Sequence, residues 1–259
     1  MASSRFETHT IAGCGVRVLR GGRGTPLLFL HGAAGGGMWL PFMDKLAERF
    51  EVIVPDHPGY GQSDRPEWLD ELSDLAYFYL DFMKALDLDR VHLVGHSLGG
   101  WLAAEIAIRS TARLASLTLV SAAGLHINGV SKGDLFLWSP EERVRNLFVD
   151  QSFADARLAQ PMTDEAIDIA LKNELATADL AWNPRFFHPQ VRKWIHRIDV
   201  PTQIIWGDGD KIFPPRYAEE YNRLIRGSKL SVLSCGHIPQ VEKAGAFVDL
   251  LTRFVEDVR

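Results

Sequence analysis

The sequence predicts an α/β fold: an eight-stranded, mostly parallel sheet that is flanked by helices and carries an inserted helical lid. Three observations support this prediction. Short apolar runs bounded by Gly, Pro and Asp recur along the chain, helical patterns separate most of them, and one long interval contains no such run. The 259 residues, of which 46% are hydrophobic, are sufficient for one large core.

The strand signals are eight short runs. In chain order they are "RFETHTI", "GVRVLR", "PLLFLHG", "FEVIVPDHPG", "VHLVGHS", "LASLTLVSAAG", "TQIIWGDGD" and "KLSVLSCGH". The first two alternate in polarity and are joined by "AGCG", which predicts a hairpin. The other six are more continuously apolar, as expected for parallel strands that helices cover on both faces.

Helical patterns lie between these runs where parallel crossovers require them. We expect helices over residues 39–49, Ser73–Leu86, Leu98–Arg109, Pro215–Ile225 and Pro239–Val255. Ser73 is the expected N-cap of the second helix, because a serine hydroxyl can accept a hydrogen bond from a free amide of the first turn.

The interval between the sixth and seventh runs, residues 124–199, is too long for a loop and contains no strand signal. Its helix signals are "SPEERVRNLFVD", "TDEAIDIALKNELATA" and "NPRFFHPQVRKWIHRI". In the first of them Ser139, Pro140 and Glu142 form a capping-box pattern. Because the interval is rich in Phe and Trp, we interpret it as a lid that lines a pocket, with extra packing helices as the alternative. The predicted core domain is then residues 1–123 and 200–259.

Composition and charge exclude several function classes. The net charge is -5 at pH 7 and no basic block is present, so we expect no nucleic-acid partner. No apolar run reaches the length of a membrane span and the first residues contain no signal segment, which predicts a cytoplasmic protein. Cys14 and Cys235 do not form a disulfide framework, and a buried thiol is favoured over a nucleophile at Cys235. We expect a small-molecule substrate, no cofactor and no metal, and the sequence leaves the oligomeric state open.

The stretch "GHSLG", Gly95 to Gly99, has the form G-x-S-x-G and lies between an apolar run and a helical pattern. This placement is typical of a nucleophile elbow, a tight strand-to-helix turn that holds its serine in a strained backbone conformation. Ser97 is therefore the expected nucleophile, and the Leu98 amide at the helix start is an expected oxyanion donor. The alternative is a glycine-rich packing turn with an incidental serine.

A serine nucleophile requires a base and an acid. Among the nine histidines, only His237 follows the candidate acids in the chain order of serine, acid and histidine that such an elbow uses. Asp208 and Asp210 both follow a strand signal, and the residues alone leave the choice between them open. A calcium loop is disfavoured because Lys211 stands where an acidic site would need another oxygen ligand.

The loop "HGAAGGGMW", His31 to Trp39, is expected to complete the oxyanion site. Its glycines allow backbone amides to approach a ligand closely. The Ala33 amide is the expected donor beside Leu98, with the Ala34 amide as a candidate additional donor. A nucleotide-binding loop is disfavoured, because neither G-x-G-x-x-G nor G-K-[ST] is present.

Together these motifs resemble the α/β-hydrolase fold superfamily along essentially the whole chain. The matching motifs are "HG" at His31–Gly32, "DHPGYGQS" at Asp56–Ser63, "GHSLGG" at Gly95–Gly100, "WGDGD" and the late "GH". The resemblance implies that Asp210, the last residue of G-x-x-D, is the acid and that His237 is the base. Haloalkane dehalogenases and epoxide hydrolases are similar but have Asp in place of Ser97. The meta-cleavage hydrolases keep the serine and a helical lid, but their glycine loop has a proline that "HGAAGGG" lacks.

These motifs predict a serine hydrolase, similar to a carboxylesterase, that cleaves the ester of a small to medium apolar substrate through an acyl-enzyme. One alternative is an enzyme that hydrolyses a carbon–carbon bond in a vinylogous diketone. Another is a ligand receptor with low turnover. The residues expected to line the substrate pocket are Trp39, Phe136, Trp138, Phe187 and Ile238. The sequence leaves the substrate and its chain length open.

Overall fold

A computed structural model describes residues 4–258, so the two ends of the predicted core domain, residues 1–3 and 259, lie outside the described residues. The strands are β1 (Arg5–Ile11), β2 (Cys14–Gly22), β3 (Thr25–Leu30), β4 (Phe50–Pro55), β5 (Val91–His96), β6 (Leu114–Val120), β7 (Thr202–Gly207) and β8 (Lys229–Leu233). They form one eight-stranded sheet in the order β1-β2-β4-β3-β5-β6-β7-β8. The first two pairs are antiparallel and the rest are parallel, which confirms the predicted fold class.

The helices lie between the strands and in one long insertion. They are α1 (Pro41–Ala47), α2 (Leu72–Ala85), α3 (Leu98–Arg109), α4 (Pro140–Leu147), α5 (Gln151–Leu158), α6 (Asp164–Ala181), α7 (Pro189–Trp194), α8 (Arg216–Leu224), α9 (Pro239–Glu242) and α10 (Ala244–Asp257). A 3-10 turn, Ile195–Arg197, follows α7. Among residues 4–258, none of the helices combines the length and the apolar character that a bilayer crossing requires.

Helices cover both faces of the sheet. On one face, Phe42 of α1 packs between Phe29 of β3 and Phe247 of α10. On the other face, apolar side chains of α2, α3 and α8 form the larger part of the core. Each large apolar side chain buried in this way contributes about 1.5–3 kcal/mol to folding. This burial on both faces explains why the central strands are continuously apolar rather than alternating in polarity.

Two predictions about the helices are wrong: the N-cap of α2 and the continuity of the helix predicted over Pro239–Val255. Helix α2 begins at Leu72 with Glu71 as its N-cap, because the Asp74 carboxylate accepts a hydrogen bond from the Glu71 amide at 2.9 Å. Ser73 therefore lies inside the first turn, where its hydroxyl donates to the Glu71 carboxylate. The predicted helix over Pro239–Val255 is two helices, because the backbone at Lys243 (φ -130°, ψ 45°) leaves the helical region.

The insertion, defined as residues 124–199, contains α4 to α7 and lies between β6 and β7 in the sequence. The capping box at the start of α4 is as expected: the Glu142 amide donates to the Ser139 hydroxyl, and the Glu142 carboxylate accepts from the Ser139 amide at 2.8 Å. Helix α5 was not predicted from the sequence. Its first turn is capped by the Asp150 carboxylate, which accepts from the Ser152 amide at 3.0 Å.

Candidate active site

Ser97 lies at the turn between β5 and α3, at the carboxyl edge of the sheet. Its backbone has φ 55° and ψ -115°, a region that non-glycine residues rarely occupy. The turn is held by the Ser97 amide, which donates to the Val120 carbonyl at 2.9 Å, and by the Ser97 carbonyl, which accepts from Ala123 at 3.0 Å. Strain of this kind persists only where surrounding contacts enforce it, and it is typical of functional sites.

The glycines beside Ser97 are required by close approach of the backbone. A β-carbon at Gly95 would overlap the Gly99 carbonyl, and a β-carbon at Gly99 would overlap the Leu30 carbonyl of β3. Any larger residue would therefore separate α3 from the sheet. The sequence motif reflects this steric requirement of the turn.

Asp210 and His237 form a buried hydrogen-bonded pair. His237 Nδ1 lies 2.8 Å from Asp210 Oδ2, and both side chains are almost fully buried. The other carboxylate oxygen of Asp210 accepts hydrogen bonds from the amides of Ile212 at 2.8 Å and Phe213 at 2.9 Å. Because a carboxylate can only accept, Nδ1 carries the proton and Nε2 is left as a proton acceptor. Asp208 is exposed, and its side chain does not take part in this pair.

The backbone holds His237 beside the elbow. Its carbonyl accepts a hydrogen bond from Nε2 of His96, the residue before Ser97, at 3.0 Å, and the two imidazole rings are 5.0 Å apart. Its amide donates to the Leu147 carbonyl of the insertion at 2.7 Å. In the part of the chain that the structure describes, no hydrogen bond joins the Ser97 hydroxyl to the His237 ring. Such bonds are often long without substrate and tighten in the reactive complex.

The loop from His31 to Trp39, which we call the donor loop, lies against the elbow. A β-carbon at Gly32 would be 3.2 Å from the Ser97 β-carbon. The Gly32 carbonyl accepts hydrogen bonds from the Gly35 amide at 3.1 Å and from His31 Nδ1 at 2.8 Å. Among residues 4–258, neither the Ala33 amide nor the Leu98 amide donates to another protein group. Both N–H groups can therefore donate a hydrogen bond to a ligand.

A pair of stacked histidines supports the donor loop, and the sequence analysis did not identify it. The rings of His31 and His57 stack at 3.7 Å, and both residues are buried. The His57 amide donates to His31 Nε2 at 3.1 Å, and the Tyr79 hydroxyl lies 2.6 Å from His57 Nδ1. Burial lowers the pKa of both imidazoles, so both are neutral. Both residues stand in the quoted motifs, but only their contact across the fold reveals this role.

His96 is a third neutral histidine at the site. Burial, with a smaller effect of the nearby His237, lowers its pKa to about 3. Because its Nε2 donates to a carbonyl, the proton of the neutral ring is on that nitrogen. His96 therefore contributes a fixed hydrogen bond and no charge beside Ser97.

Two of the predicted pocket residues, Trp39 and Ile238, lie outside the insertion and have different surroundings. Trp39 packs against Gly21 of β2, and its indole donates to Asp44 of α1 at 3.0 Å. Its contacts are thus with the sheet face that α1 covers. Ile238 follows His237 directly, is partly exposed and is the N-cap of α9.

The predicted pocket residues of the insertion are partly buried aromatic side chains. Phe136 stacks on Phe186 with ring centres 5.2 Å apart, and Trp138 packs against Gly133. Phe186 in turn contacts Phe213, whose ring is 5.7 Å from that of His237. A continuous row of aromatic rings therefore joins Phe136 to the histidine. Phe187 stacks instead on His126, at 4.9 Å.

Both thiols are buried and unpaired. Burial, reinforced by the Glu242 carboxylate, raises the pKa of Cys235 to about 12, and burial raises that of Cys14 to about 11. A thiol with so high a pKa is a poor nucleophile at neutral pH, which favours Ser97 over Cys235. Within residues 4–258, no three His, Cys, Asp or Glu side chains are grouped so that they could hold a metal ion.

Known proteins resemble the whole chain. The dihydrolipoyllysine-residue acetyltransferase component of the acetoin cleaving system of Cupriavidus necator is 30% identical over 97% of this chain and 69% of that protein. The 2-hydroxy-6-oxononadienedioate/2-hydroxy-6-oxononatrienedioate hydrolase of Escherichia coli is 29% identical over 98% of this chain and 96% of that protein. The crystal structure of a membrane phospholipase A superposes with a TM-score of 0.81 at 24% identity, over 99% of this chain and 87% of that one.

The family model of the alpha/beta hydrolase fold matches residues 25–159 and 160–244. This match spans β3 to α9 and therefore includes the donor loop, the elbow, Asp210 and His237. The chain belongs to the α/β hydrolase fold family.

Proposed function

We propose that the protein is a serine hydrolase that cleaves carboxylic esters of small to medium apolar substrates through an acyl-enzyme. The observation that carries this proposal is the strained Ser97 turn with a buried, hydrogen-bonded Asp210–His237 pair beside it. The amides of Ala33 and Leu98, which donate to no other group among residues 4–258, supply the donors that a tetrahedral oxyanion requires.

In the proposed reaction, His237 Nε2 removes the Ser97 proton as Ser97 Oγ attacks the ester carbonyl carbon. The carbonyl oxygen becomes an oxyanion that accepts hydrogen bonds from the Ala33 and Leu98 amides. The intermediate collapses, the alcohol leaves with the proton from His237, and an acyl-enzyme remains. Water then gives a proton to His237 and attacks the acyl carbon. Collapse of the second intermediate releases the acid and returns the proton to Ser97.

Asp210 acts through His237 in this scheme. Its carboxylate keeps the proton on Nδ1, so that Nε2 faces Ser97 as a base, and it stabilises the imidazolium that forms. The amides of Ile212 and Phe213 hold the carboxylate in place. The choice of Asp210 over Asp208 rests on this geometry.

We also propose that residues 124–199 form a lid domain over the core of residues 1–123 and 200–259. The aromatic row from Phe136 through Phe186 and Phe213 to His237 supports an apolar pocket on the insertion side. Phe136, Trp138, Phe187 and Ile238 remain our pocket candidates. Trp39 is the weakest candidate, because its ring contacts Gly21 and its indole binds Asp44.

The test is hydrolysis of a p-nitrophenyl ester series by the wild type and three variants. We expect Ser97→Ala to lose measurable activity, and Asp210→Asn to lower kcat about 10⁴-fold through the wrong imidazole tautomer. Asp208→Asn makes the same change at the neighbouring exposed carboxylate and should keep full activity. A fluorophosphonate should label the wild type at Ser97 and not label Ser97→Ala. Full ester hydrolysis by folded Ser97→Ala contradicts the proposal.

A second candidate is hydrolysis of a carbon–carbon bond in a vinylogous diketone. It is favoured by the Escherichia coli relative named above, whose name specifies such a dienedioate substrate and whose sequence aligns along nearly the whole chain. A panel that compares ring-cleavage dienones with simple esters separates the two candidates. Faster turnover of dienones, abolished by Ser97→Ala, selects the second.

A further inference from the structure

Helix α6 of the insertion buries polar side chains beside the apolar Ala176, Leu180 and Ala181, and it exposes several apolar ones. Its inward face buries two polar side chains, Asn173 and Thr177, which are 4% and 5% exposed. Its outward face carries Ile167, Leu171 and Leu175, which are 50%, 55% and 59% exposed. A surface helix normally buries its apolar face. Buried polar groups are costly unless they are hydrogen-bonded, so the partners of Asn173 and Thr177 explain why they are there.

Asn173 joins two loops of the core at the carboxyl edge of the sheet. Its Nδ2 donates to the Ala34 carbonyl of the donor loop at 2.9 Å. Its Oδ1 accepts from the Gly61 amide, in the "DHPGYGQS" loop, at 2.8 Å. The side chain lies so close to Gly35 that a β-carbon there would overlap Nδ2.

Thr177, one helical turn after Asn173, and Lys172, the residue before it, extend this connection. The Thr177 hydroxyl donates to the Ala33 carbonyl at 3.2 Å and lies 3.0 Å from the Tyr60 hydroxyl, from which it accepts. The Lys172 ammonium donates to the Gly61 carbonyl at 3.0 Å and to the Ser63 carbonyl at 2.6 Å. Three polar side chains of α6 therefore bind main-chain atoms of the two loops.

The donor loop is thereby held at three consecutive carbonyls. The Gly32 carbonyl is bound by His31 and Gly35, the Ala33 carbonyl by Thr177 and the Ala34 carbonyl by Asn173. A peptide unit is planar, so a bound carbonyl fixes the direction of the next residue's amide. The Gly32 carbonyl therefore sets the Ala33 amide, and the Ala33 carbonyl, bound by Thr177, sets the Ala34 amide. The Ala34 carbonyl, bound by Asn173, sets the Gly35 amide, which donates to the Gly32 carbonyl at 3.1 Å and so links Asn173 to the Ala33 donor. Two of the three carbonyls, those of Ala33 and Ala34, are therefore bound by side chains of the insertion.

We propose that Asn173 and Thr177 are positioning residues of the oxyanion site, so that the insertion aligns the amide donors as well as covering the site. This proposal rests on the proposed hydrolase function. A donor must lie at hydrogen-bond distance from the position of the developing oxyanion, and small misplacement lowers the rate without weakening substrate binding. The expected loss is therefore in kcat and not in KM.

The test uses two variants of the full chain and one control. Asn173→Asp keeps the size of the side chain and the bond from the Gly61 amide, but places an oxygen against the Ala34 carbonyl. Thr177→Val keeps the shape and removes the donor to Ala33, without adding a charge. Asp168→Asn makes the reverse exchange of amide and carboxylate on the exposed face of the same helix.

Two readouts are needed. Hydrogen exchange of the peptide that covers residues 31–38 should be faster in both variants and unchanged in Asp168→Asn. With the best ester found for the wild type, kcat should fall about tenfold in Asn173→Asp and about threefold in Thr177→Val, with KM within about twofold.

Unchanged exchange in both folded variants overturns the proposal, as does faster exchange with unchanged kcat. A rise in KM at constant kcat overturns it as well, because it would make these residues part of the substrate pocket. A wild type that hydrolyses no ester and takes no fluorophosphonate at Ser97 is a failure of the proposed function. The exchange readout still decides separately whether α6 holds the donor loop.

Discussion

The two loops that meet at the carboxyl edge of the sheet are held in different ways. The elbow at Ser97 is held by steric contact between neighbouring core elements, with Gly95 and Gly99 against backbone carbonyls. The donor loop is held by hydrogen bonds from His31 within it and from Asn173 and Thr177 far along the chain. One loop depends on close packing and the other on a set of polar anchors.

This difference determines how each loop should respond to substitution. A close-packed turn has no space into which an added atom can move, so one methyl group is expected to disrupt it. Each polar anchor contributes about 1 kcal/mol, and its loss leaves the others in place. We therefore expect an abrupt response at the elbow and a graded response at the donor loop.

The largest effect is expected from Gly99→Ala in the first turn of α3. The new β-carbon would overlap the Leu30 carbonyl, and we expect the free energy of unfolding to fall by about 3 kcal/mol, with loss of fluorophosphonate labelling. The matched control is Gly245→Ala, also a helical glycine, where a β-carbon meets nothing within 4 Å. That variant should be more stable by about 0.5–1 kcal/mol. Chemical denaturation measures both.

Equal stability of the Gly99→Ala and Gly245→Ala variants would contradict the claim that close packing requires a glycine at position 99. It would mean that α3 can move away from the sheet without a loss of stability. The glycines of the motif would then serve some purpose other than close approach. Retained labelling of a strongly destabilised Gly99→Ala would separate stability from site geometry.

A smaller effect is expected at His31, where two variants each keep one of its two hydrogen bonds. His31→Asn keeps a donor near the Gly32 carbonyl, and His31→Gln keeps an acceptor near the His57 amide. Each leaves one buried group unpaired, so both should lower the free energy of unfolding by about 2 kcal/mol. If the Gly32 carbonyl sets the direction of the Ala33 amide, kcat should be about tenfold lower in His31→Gln than in His31→Asn.

As the control, the kcat of His31→Asn and of His31→Gln is compared with the free energy of unfolding of each variant. Equal kcat in the two variants, with equal loss of stability, would assign His31 to packing alone. A lower kcat in His31→Asn would transfer the positioning role to the His57 contact.

The same contrast explains what the sequence alone could predict. The strands and the turn at Ser97 depend on local pattern, and their positions were predicted from the sequence. Chain order selected His237, whereas the residues alone left Asp208 and Asp210 open and only the family resemblance favoured Asp210, the carboxylate that binds His237 in the structure. The anchors that α6 provides for the donor loop join residues more than 100 positions apart, as with Asn173 and Ala34, and no local pattern marks them. The helical pattern of α6 predicts a helix but not that Asn173 and Thr177 are among its buried residues. The sequence likewise does not indicate that the Trp39 ring packs against Gly21 of β2.

The smallest effect concerns His96, which lies where the elbow and the donor loop touch. Its pKa is about 3 in the folded protein and near 6.5 when exposed in the unfolded chain. Below pH 6.5 the unfolded state therefore binds a proton at this residue that the folded state does not bind. Stability from this residue is complete above pH 6.5 and is lost as the pH falls towards 3. His31 and His57, whose pKa values burial also lowers, act in the same direction.

His96→Gln removes the titrating ring and keeps a donor for the His237 carbonyl. Between pH 7 and pH 5.5 the wild type should lose about 1 kcal/mol more of its free energy of unfolding than the variant loses. Denaturant unfolding at a series of pH values measures the two slopes. The comparison uses the difference in slope, because lost contacts of the glutamine variant shift its curve by the same amount at every pH. Parallel curves would show that His96 takes up its proton in the folded state as easily as in water, and that the junction of the two loops admits solvent.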